Sequence, residues 1–473
     1  MSAAALLLAL AVLSARAEGT AESLPDSPSA VVAYNLAGSV PAGPVTKDVL
    51  RLSLAEAIER GLAHNLAVLT AIQQERFLHG ERLGVENYLL PQINLSGFSS
   101  TESEDLAALG FSQTFLAKLG YPPGSVPNII KTDFTGAQVS VGQQLFNGQA
   151  MWLYRAARAE NEAAQMDTLN AHGGVVEAVG AQYLSVLAAE AEAENAEALL
   201  RADQKAFEQA HERHRAGVAT GLDELRAQVQ MQTQQQAAVE AEASLVKARM
   251  ALNRMIGLAA EQAVDLTDAA PYADVAMLPL EQAEATAYAH RKDWLALEAR
   301  LHSARLQVRA TQWERAPVLS AGGYYGVMGQ TESLYHGVFL VGGSLTLPLF
   351  REAQLRGEHE AAAAQLDGVR AREADLRAMI RIQLRDAQMD VNAASALVKS
   401  ADSALDLARQ ELEDVSARFA AGVDDNLPVV RAQSAMAAAH SAHVQALYQY
   451  NVAKLELARA TGVVESQYAA YLY

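Results

Sequence analysis

Cysteine is absent from all 473 residues. Disulfides, thiolate metal sites, cysteine nucleophiles and a lipid-bearing N-terminal cysteine are therefore excluded. Aromatics make up only 6%, with three tryptophans, too few for a large globular core built on aromatic anchors. Positive charge is scarce: 37 Lys and Arg face 55 Asp and Glu, leaving a net charge of −18. Nucleic acid is not a partner of such a chain, because phosphate contacts need a basic face. No apolar run approaches the roughly 20 residues of a membrane-spanning helix. Catalytic constellations are missing too, with no Ser/His/Asp frame, Gly-rich phosphate loop or nucleophile elbow. Neither an enzyme nor a cofactor is expected.

What is present is Ala and Leu. Hydrophobic residues reach 51% and charged ones 19%, which suits long helices in close contact. Ala3 to Leu13 form a short apolar run, and Ala15-Arg16-Ala17 offers a small-x-small cleavage site. Residues 1–17 are read as a secretory signal peptide, although no Lys or Arg precedes the run.

The chain repeats itself. Leu54-Ala-Glu-Ala-Ile58 is echoed by Leu280-Glu-Gln-Ala-Glu284, and Pro91 by Pro317, both at an offset of 226. Gln144-Leu-Phe146 then matches Pro348-Leu-Phe350 at 204. Gly217, Arg226 and Gly257 match Gly422, Arg431 and Gly462 at 205. The fall from 226 to 204 places a 22-residue insertion in the first copy, between Pro91 and Gln144. Each copy reads helix, strand, loop, strand, very long helix, turn, helix. Helices are expected at 54–88, 149–216, 222–257, 280–314, 352–420 and 427–462. The last long one carries a heptad-like seam through Leu397, Ala401, Ala404, Ala408, Leu412, Val415 and Phe419. Gly173-Gly174 is expected to loosen the first long helix locally. Helices of this length reach on the order of 100 Å, so they lie along a rod or a tube wall.

Four segments alternate with period two, at about 92–99, 134–145, 318–327 and 337–347. Ala137, Val139 and Val141 share one face, and Gln138, Ser140 and Gly142 the other. This fits a membrane barrel wall, apolar to lipid and polar to lumen, and fits equally a small soluble sheet with one wet face. The flanking helices are too long to fold back over a small sheet, which favours the barrel. Four strands cannot close alone, and open edges in lipid cost several kcal/mol per unpaired group, so several chains must share one barrel.

The ordered set Leu52-Ser-Leu-Ala-Glu-Ala-Ile58 with Asn65, Leu90-Pro91, Gln144-Leu-Phe-Asn-Gly148, Ala251-Leu-Asn253 with Gly257, Leu347-Pro-Leu-Phe350, and Arg418-Phe-Ala-Ala-Gly-Val-Asp424 with Ala432-Gln433 resembles the TolC-like outer-membrane efflux proteins. The resemblance implies a mainly α fold with a membrane β-barrel. Four strands per protomer of a homotrimer would build twelve strands, above a periplasmic α-barrel of coiled-coil helices. It also implies a periplasmic adaptor and an inner-membrane pump of RND or ABC type as partners, and outer-membrane lipid around the barrel. The expected layout is an N-terminal segment 18–51, a first repeat 52–258 with its hairpin at 90–146, an equatorial linker 259–279, a second repeat 280–463 with its hairpin at 317–350, and a tail 464–473. The competing reading is a secreted or periplasmic coiled-coil structural or adaptor protein. It leaves the paired strands and the constant offsets unexplained.

The functional end is expected where the long helices turn. Gly217, Gly221 and Gly422 suit those turns, with Asp424 and Asp425 beside the second. Asp223, Asp425 or Asn426 can cap the next helix, or the acids can ring a pore mouth and favour cations. Family members often carry an acid before the Ala-Gln of this turn; this chain has Arg431, and Arg226 at the matching place. Arg226 and Arg431 are expected to pair between helices with Asp223, Glu224, Asp424 or Asp425 and hold the tip closed. His211 and His214, like His440 and His443, stand i, i+3. They are read as solvated, without a metal.

Overall fold

The computed structural model describes residues 35–473 except 42, 47, 123, 270–271, 331–333 and 422–425. The signal-peptide segment, Gly422, Asp424 and Asp425 lie outside the described residues.

A short strand β1 (Leu50–Leu52) leads into α1 (Leu54–His64) and α2 (Leu66–Glu86). Strand β2 (Gln92–Asp105), a small helix α3 (Gln113–Lys118) and β3 (Ile129–Phe146) follow. Helix α4 (Gly148–Arg215) runs 68 residues, turns, and continues as α5 (Gly221–Met255). After β4 (Val264–Leu266) the order recurs: α6 (Leu280–His290), α7 (Lys292–Trp313), β5 (Val318–Gln330), β6 (His336–Thr346), the 69-residue α8 (Glu352–Ala420) and α9 (Asn426–Ala460). A last helix, α10 (Val464–Leu472), closes the chain.

The single helices expected at 54–88 and 280–314 are each broken in two, at Asn65 and Arg291, which are 226 residues apart. Both breaks are polar knots in the core. The buried Asn65 caps α2 through Ala67 N–H to Oδ1 at 2.9 Å. Its Nδ2 donates to the Leu36 and Met255 carbonyls at 2.7 and 3.2 Å. Arg291 donates to the Ala460 carbonyl at 3.2 Å and grips Asp293 with two hydrogen bonds of 3.1 and 2.7 Å. Met255 and Ala460 are 205 residues apart, so each knot ties the same place in its copy. The glycine after each helix end makes room: Gly257 and Gly462 have φ of 76° and 80°. A Cβ there would collide with His64 and with the Arg291 backbone respectively.

Helices α8 and α9 meet along a heptad seam. It shares Ala401 and Ala408 with the expected one, with Leu412, Val415 and Phe419 half-buried beyond them, and departs from it at Leu397 and Ala404. The facing residues are Ile380, Leu384, Ala387, Val391, Ala394, Val398, Ala401, Leu405 and Ala408, stepping by 4 and 3. Leu397 is 52% exposed and Ala404 is exposed as well. The Ala-rich stretch offers two parallel stripes, and only the partner's position selects one. Gly173 and Gly174 do not loosen α4, which is continuous, and both are buried. Gly173 instead gives the Arg459 guanidinium the space a side chain would fill.

Four strands form one antiparallel sheet in the order β2-β3-β5-β6. The register places Leu95, Val139, Tyr325 and Phe339 in one row across it, and all four are exposed. The other face carries small and polar groups, with the Ser320 and Ser344 hydroxyls 2.9 Å apart. Among the described residues the outer edges of β2 and β6 pair with no further strand. A second, two-stranded parallel sheet joins β1 to β4, which the alternation in the sequence does not announce.

Candidate functional site

The turn from α4 to α5 is built by the backbone first. Gly217, at φ 72°, lets its N–H reach the His214 carbonyl at 2.9 Å and lets Val218 N–H reach that of Arg213 at 3.0 Å. Thr220 then starts α5 with a capping box: Asp223 N–H donates to its hydroxyl at 3.3 Å. In return Asp223 Oδ2 accepts from the Thr220 N–H at 3.1 Å and hydroxyl at 2.7 Å. These bonds from the Thr220 side chain and backbone hold the Asp223 carboxyl below its ordinary range. Asp223 therefore serves the cap. Gly221 opens α5 against the His214 ring.

Glu224 bridges the two histidines. His211 Nδ1 lies 2.7 Å from one carboxylate oxygen and His214 Nδ1 2.5 Å from the other. Those bonds, His211 first, lower the Glu224 pKa. The two residues read as solvated thus clasp the start of α5 onto the end of α4. The i, i+3 spacing was the available signal; the turn brings the carboxylate between the rings. His443 likewise meets Asp402 of α8 at 2.7 Å, and burial lowers the pKa of its neighbour His440. Among the described residues no group of three or more side chains is arranged to hold a metal ion.

Asp424 and Asp425, two of the partners expected for Arg226, lie outside the described residues. Among the described residues Arg226 approaches Asp223 on its own helix at 3.9 Å, while Glu224 is held by the two histidines. Arg431 is exposed on α9 and has no ion-pair partner among the described residues. The two hairpins touch instead through Arg213, whose guanidinium sits 4.8 Å from the Phe419 ring centre. Between α5 and α9 runs an open groove of about 300 Å³, lined by Leu222, Leu225, Val229, Leu427 and Val430, with Arg226 on its wall. Leu222 and Leu427 are equivalent positions of the two copies, and so are Leu225 and Val430.

Where the helices meet the sheet, Glu314 follows α7 and Glu358 lies in the first turns of α8. Burial, and then the neighbouring Glu358, raise the Glu314 pKa to about 7, while Glu358 is lowered. At the middle of the molecule the fully buried Lys454 donates to the carbonyls of Ala273 and Leu472 at 3.2 and 3.3 Å. Burial lowers its pKa to about 8. It straps the 272–279 segment and α10 to α9.

No described helix is long and apolar enough to cross a membrane. A sheet with an exposed apolar face, joined to helices of 68 and 69 residues, matches a known architecture over most of the chain. The outer membrane efflux protein family matches residues 58–258 and 285–463. The chain belongs to that family. Its fold is similar to a membrane protein from Pseudomonas aeruginosa at 20% identity and a TM-score of 0.75, covering 89% of this chain and 98% of the other. It is similar to the outer membrane protein VceC from Vibrio cholerae at 18% and 0.72, covering 86% and 96%. The open state of the MtrE outer membrane channel from Neisseria gonorrhoeae aligns at 17% and 0.69, covering 90% and 95%. No curated protein matches the sequence. The chain is thus an outer-membrane efflux channel with a large periplasmic helical part, and its family is one of channels. Members form trimers that work with an adaptor and an inner-membrane pump.

Proposed function

We propose that three copies of this chain close one twelve-stranded barrel and form a continuous exit duct. A periplasmic adaptor and an inner-membrane pump, of RND or ABC type, would deliver the cargo. The observation that carries this reading is the pair of open strand edges, β2 and β6, on a sheet with an apolar outer face. In lipid each orphaned backbone group costs several kcal/mol, and neighbouring copies remove both edges at once. The strands alternate in direction across the sheet, so β6 of one copy meets β2 of the next antiparallel, as every pair within the sheet does.

The entrance is assigned to the helix turns. Gly217 and Gly221 build the turn from α4 to α5, and Arg226 and Arg431 are charges offered to the pore mouth. The apolar groove between α5 and α9 is assigned to the adaptor, since it combines exposed Leu222 and Leu225 with both copies of the repeat. Residues 1–17 direct export and are removed.

The test is direct. Purified protein should run as a heat-modifiable trimer from the outer-membrane fraction and conduct ions in planar bilayers. The Arg226→Ala/Arg431→Ala double variant should conduct more than the parent. A soluble single-copy protein with no affinity for detergent would end the reading; unchanged conductance would remove only the two arginines from the gate.

A further inference from the structure

The loop between β2 and β3 is a built object rather than a connection. Ser112 caps α3 through Phe115 N–H at 3.3 Å. Gln113 ties the loop across itself: its Nε2 donates to the Val126 carbonyl and to Asn128 at 2.9 and 2.7 Å, and its Oε1 accepts from Gly124 N–H at 3.2 Å. Phe111 and Phe115 pack edge to face with centroids 6.0 Å apart. Yet this ordered piece shows its apolar side to solvent, with Phe111, Phe115, Leu119 and Tyr121 at 45%, 43%, 57% and 52% exposure.

Its height keeps it out of lipid. A tilted strand needs about 9–11 residues to cross a bilayer, whereas β2 has 14 and β3 has 18. The surplus at the outer end is Thr101-Glu-Ser-Glu-Asp105, paired with Ile129–Asp133. There the face that carries Leu95 and Val139 lower down turns charged, with Asp105, Lys131 and Asp133, which places that part in water, and the loop stands beyond it. Strand β5 ends at Gln330, opposite Phe134, so the β2–β3 hairpin rises five residues above the β5–β6 hairpin, on the order of 15 Å along the strand. The loop does not fold over its own shorter neighbour: Leu334 and Tyr335 at that corner are 77% and 50% exposed.

The free edge of β2 decides what covers it. In the trimer proposed above, the next copy's β6 lies along that edge, and β6 begins at its outer end with His336. A second Leu334–Tyr335 corner is thereby carried to the foot of the loop. We propose that the 106–128 loop is a clasp between protomers at the outer mouth. Its Phe111, Phe115, Leu119 and Tyr121 face packs on the Leu334–Tyr335 corner of the adjacent copy. The inference rests on the trimer and adds a second, aqueous contact to the barrel seam.

The chain has no cysteine, so engineered pairs report cleanly. Phe115→Cys combined with Leu334→Cys, oxidised in native outer membranes, should give covalent dimers and trimers on denaturing gels, and neither single variant should. An intact trimer in which the pair fails to cross-link overturns the clasp. Cross-linking by Phe115→Cys alone would put the loops at the threefold axis and overturn it as well. Quenching of a fluorophore at Phe115→Cys by brominated lipid would place α3 in the outer leaflet and would likewise overturn the clasp. As a second measurement, Phe111→Ser/Phe115→Ser should lower the temperature at which the trimer dissociates in detergent while leaving the β-sheet circular dichroism intact; an unshifted temperature counts against the proposal. Failure of the parent chain to trimerise would instead sink the assembly itself.

Discussion

The two copies of the repeat agree at the equator and part company at both ends. At the equator the same helix break, the same tied carbonyl and the same left-handed glycine recur, with Asn65 in one copy and Arg291 in the other. At the helix turn, the positions of His211, His214 and Glu224 become Ser416, Phe419 and Val429, so the second copy has no histidine clasp. At the sheet junction, Glu314 and Glu358 stand where the first copy has Tyr88 and Tyr154. At the outer end one hairpin carries an ordered loop and the other a short corner. The backbone has to be kept where helix segments of both copies meet, because a break there must satisfy buried amides. Ends that meet solvent are free to differ.

The comparison breaks most readily at the knots. Arg291→Ala removes two hydrogen bonds from Asp293, which keeps the Trp294 N–H, and the side-chain donor of the Ala460 carbonyl, and should cost about 3–5 kcal/mol. Asn65→Ala loses three hydrogen bonds of a neutral group and should cost about 2–3 kcal/mol. Thermal unfolding in detergent measures both, and equal losses would mean that the two knots are interchangeable.

The junction responds to pH in one copy alone. The Glu314 carboxyl is raised by burial and by Glu358 to about 7. A raised acid favours the folded state while protonated, and that contribution disappears as pH climbs from its ordinary value near 4.5 through 7. Glu314→Gln should therefore raise the melting temperature at pH 8 and leave it nearly unchanged at pH 5. A gain of the same size at both values would deny the raised Glu314 pKa.

At the tip, Thr220→Ala removes the cap and should cost about 1 kcal/mol. Glu224→Gln should speed amide exchange at 216–222 without touching the turn of the second copy. The Glu224 pKa is lowered, so the clasp is complete above the usual carboxylate range and fades as pH falls below it. Arg226→Ala is the smallest change expected, under about 1 kcal/mol, since its 3.9 Å pair with Asp223 is partly exposed.

Much of this architecture was legible in the chain. Offsets of 226, 204 and 205 fixed the duplication, and alternation found the four strands. These are local patterns, set by the periods of helix and strand. What tertiary structure alone decided is which local pattern is used. The α8 seam runs through Val398 and Leu405 and not Leu397 and Ala404, because adjacent stripes of an Ala-rich helix are nearly equivalent until a partner covers one. Asn65 and Arg291 break their helices because carbonyls 190 and 169 residues away in sequence need donors. Glu224 prefers two histidines to an arginine because the turn at Gly217 carries it between their rings, and Arg226 is left to the acid one turn before it on its own helix. Charge and spacing propose partners; only the folded distances choose among them, since a hydrogen bond is worth making within a few tenths of an ångström and nowhere else.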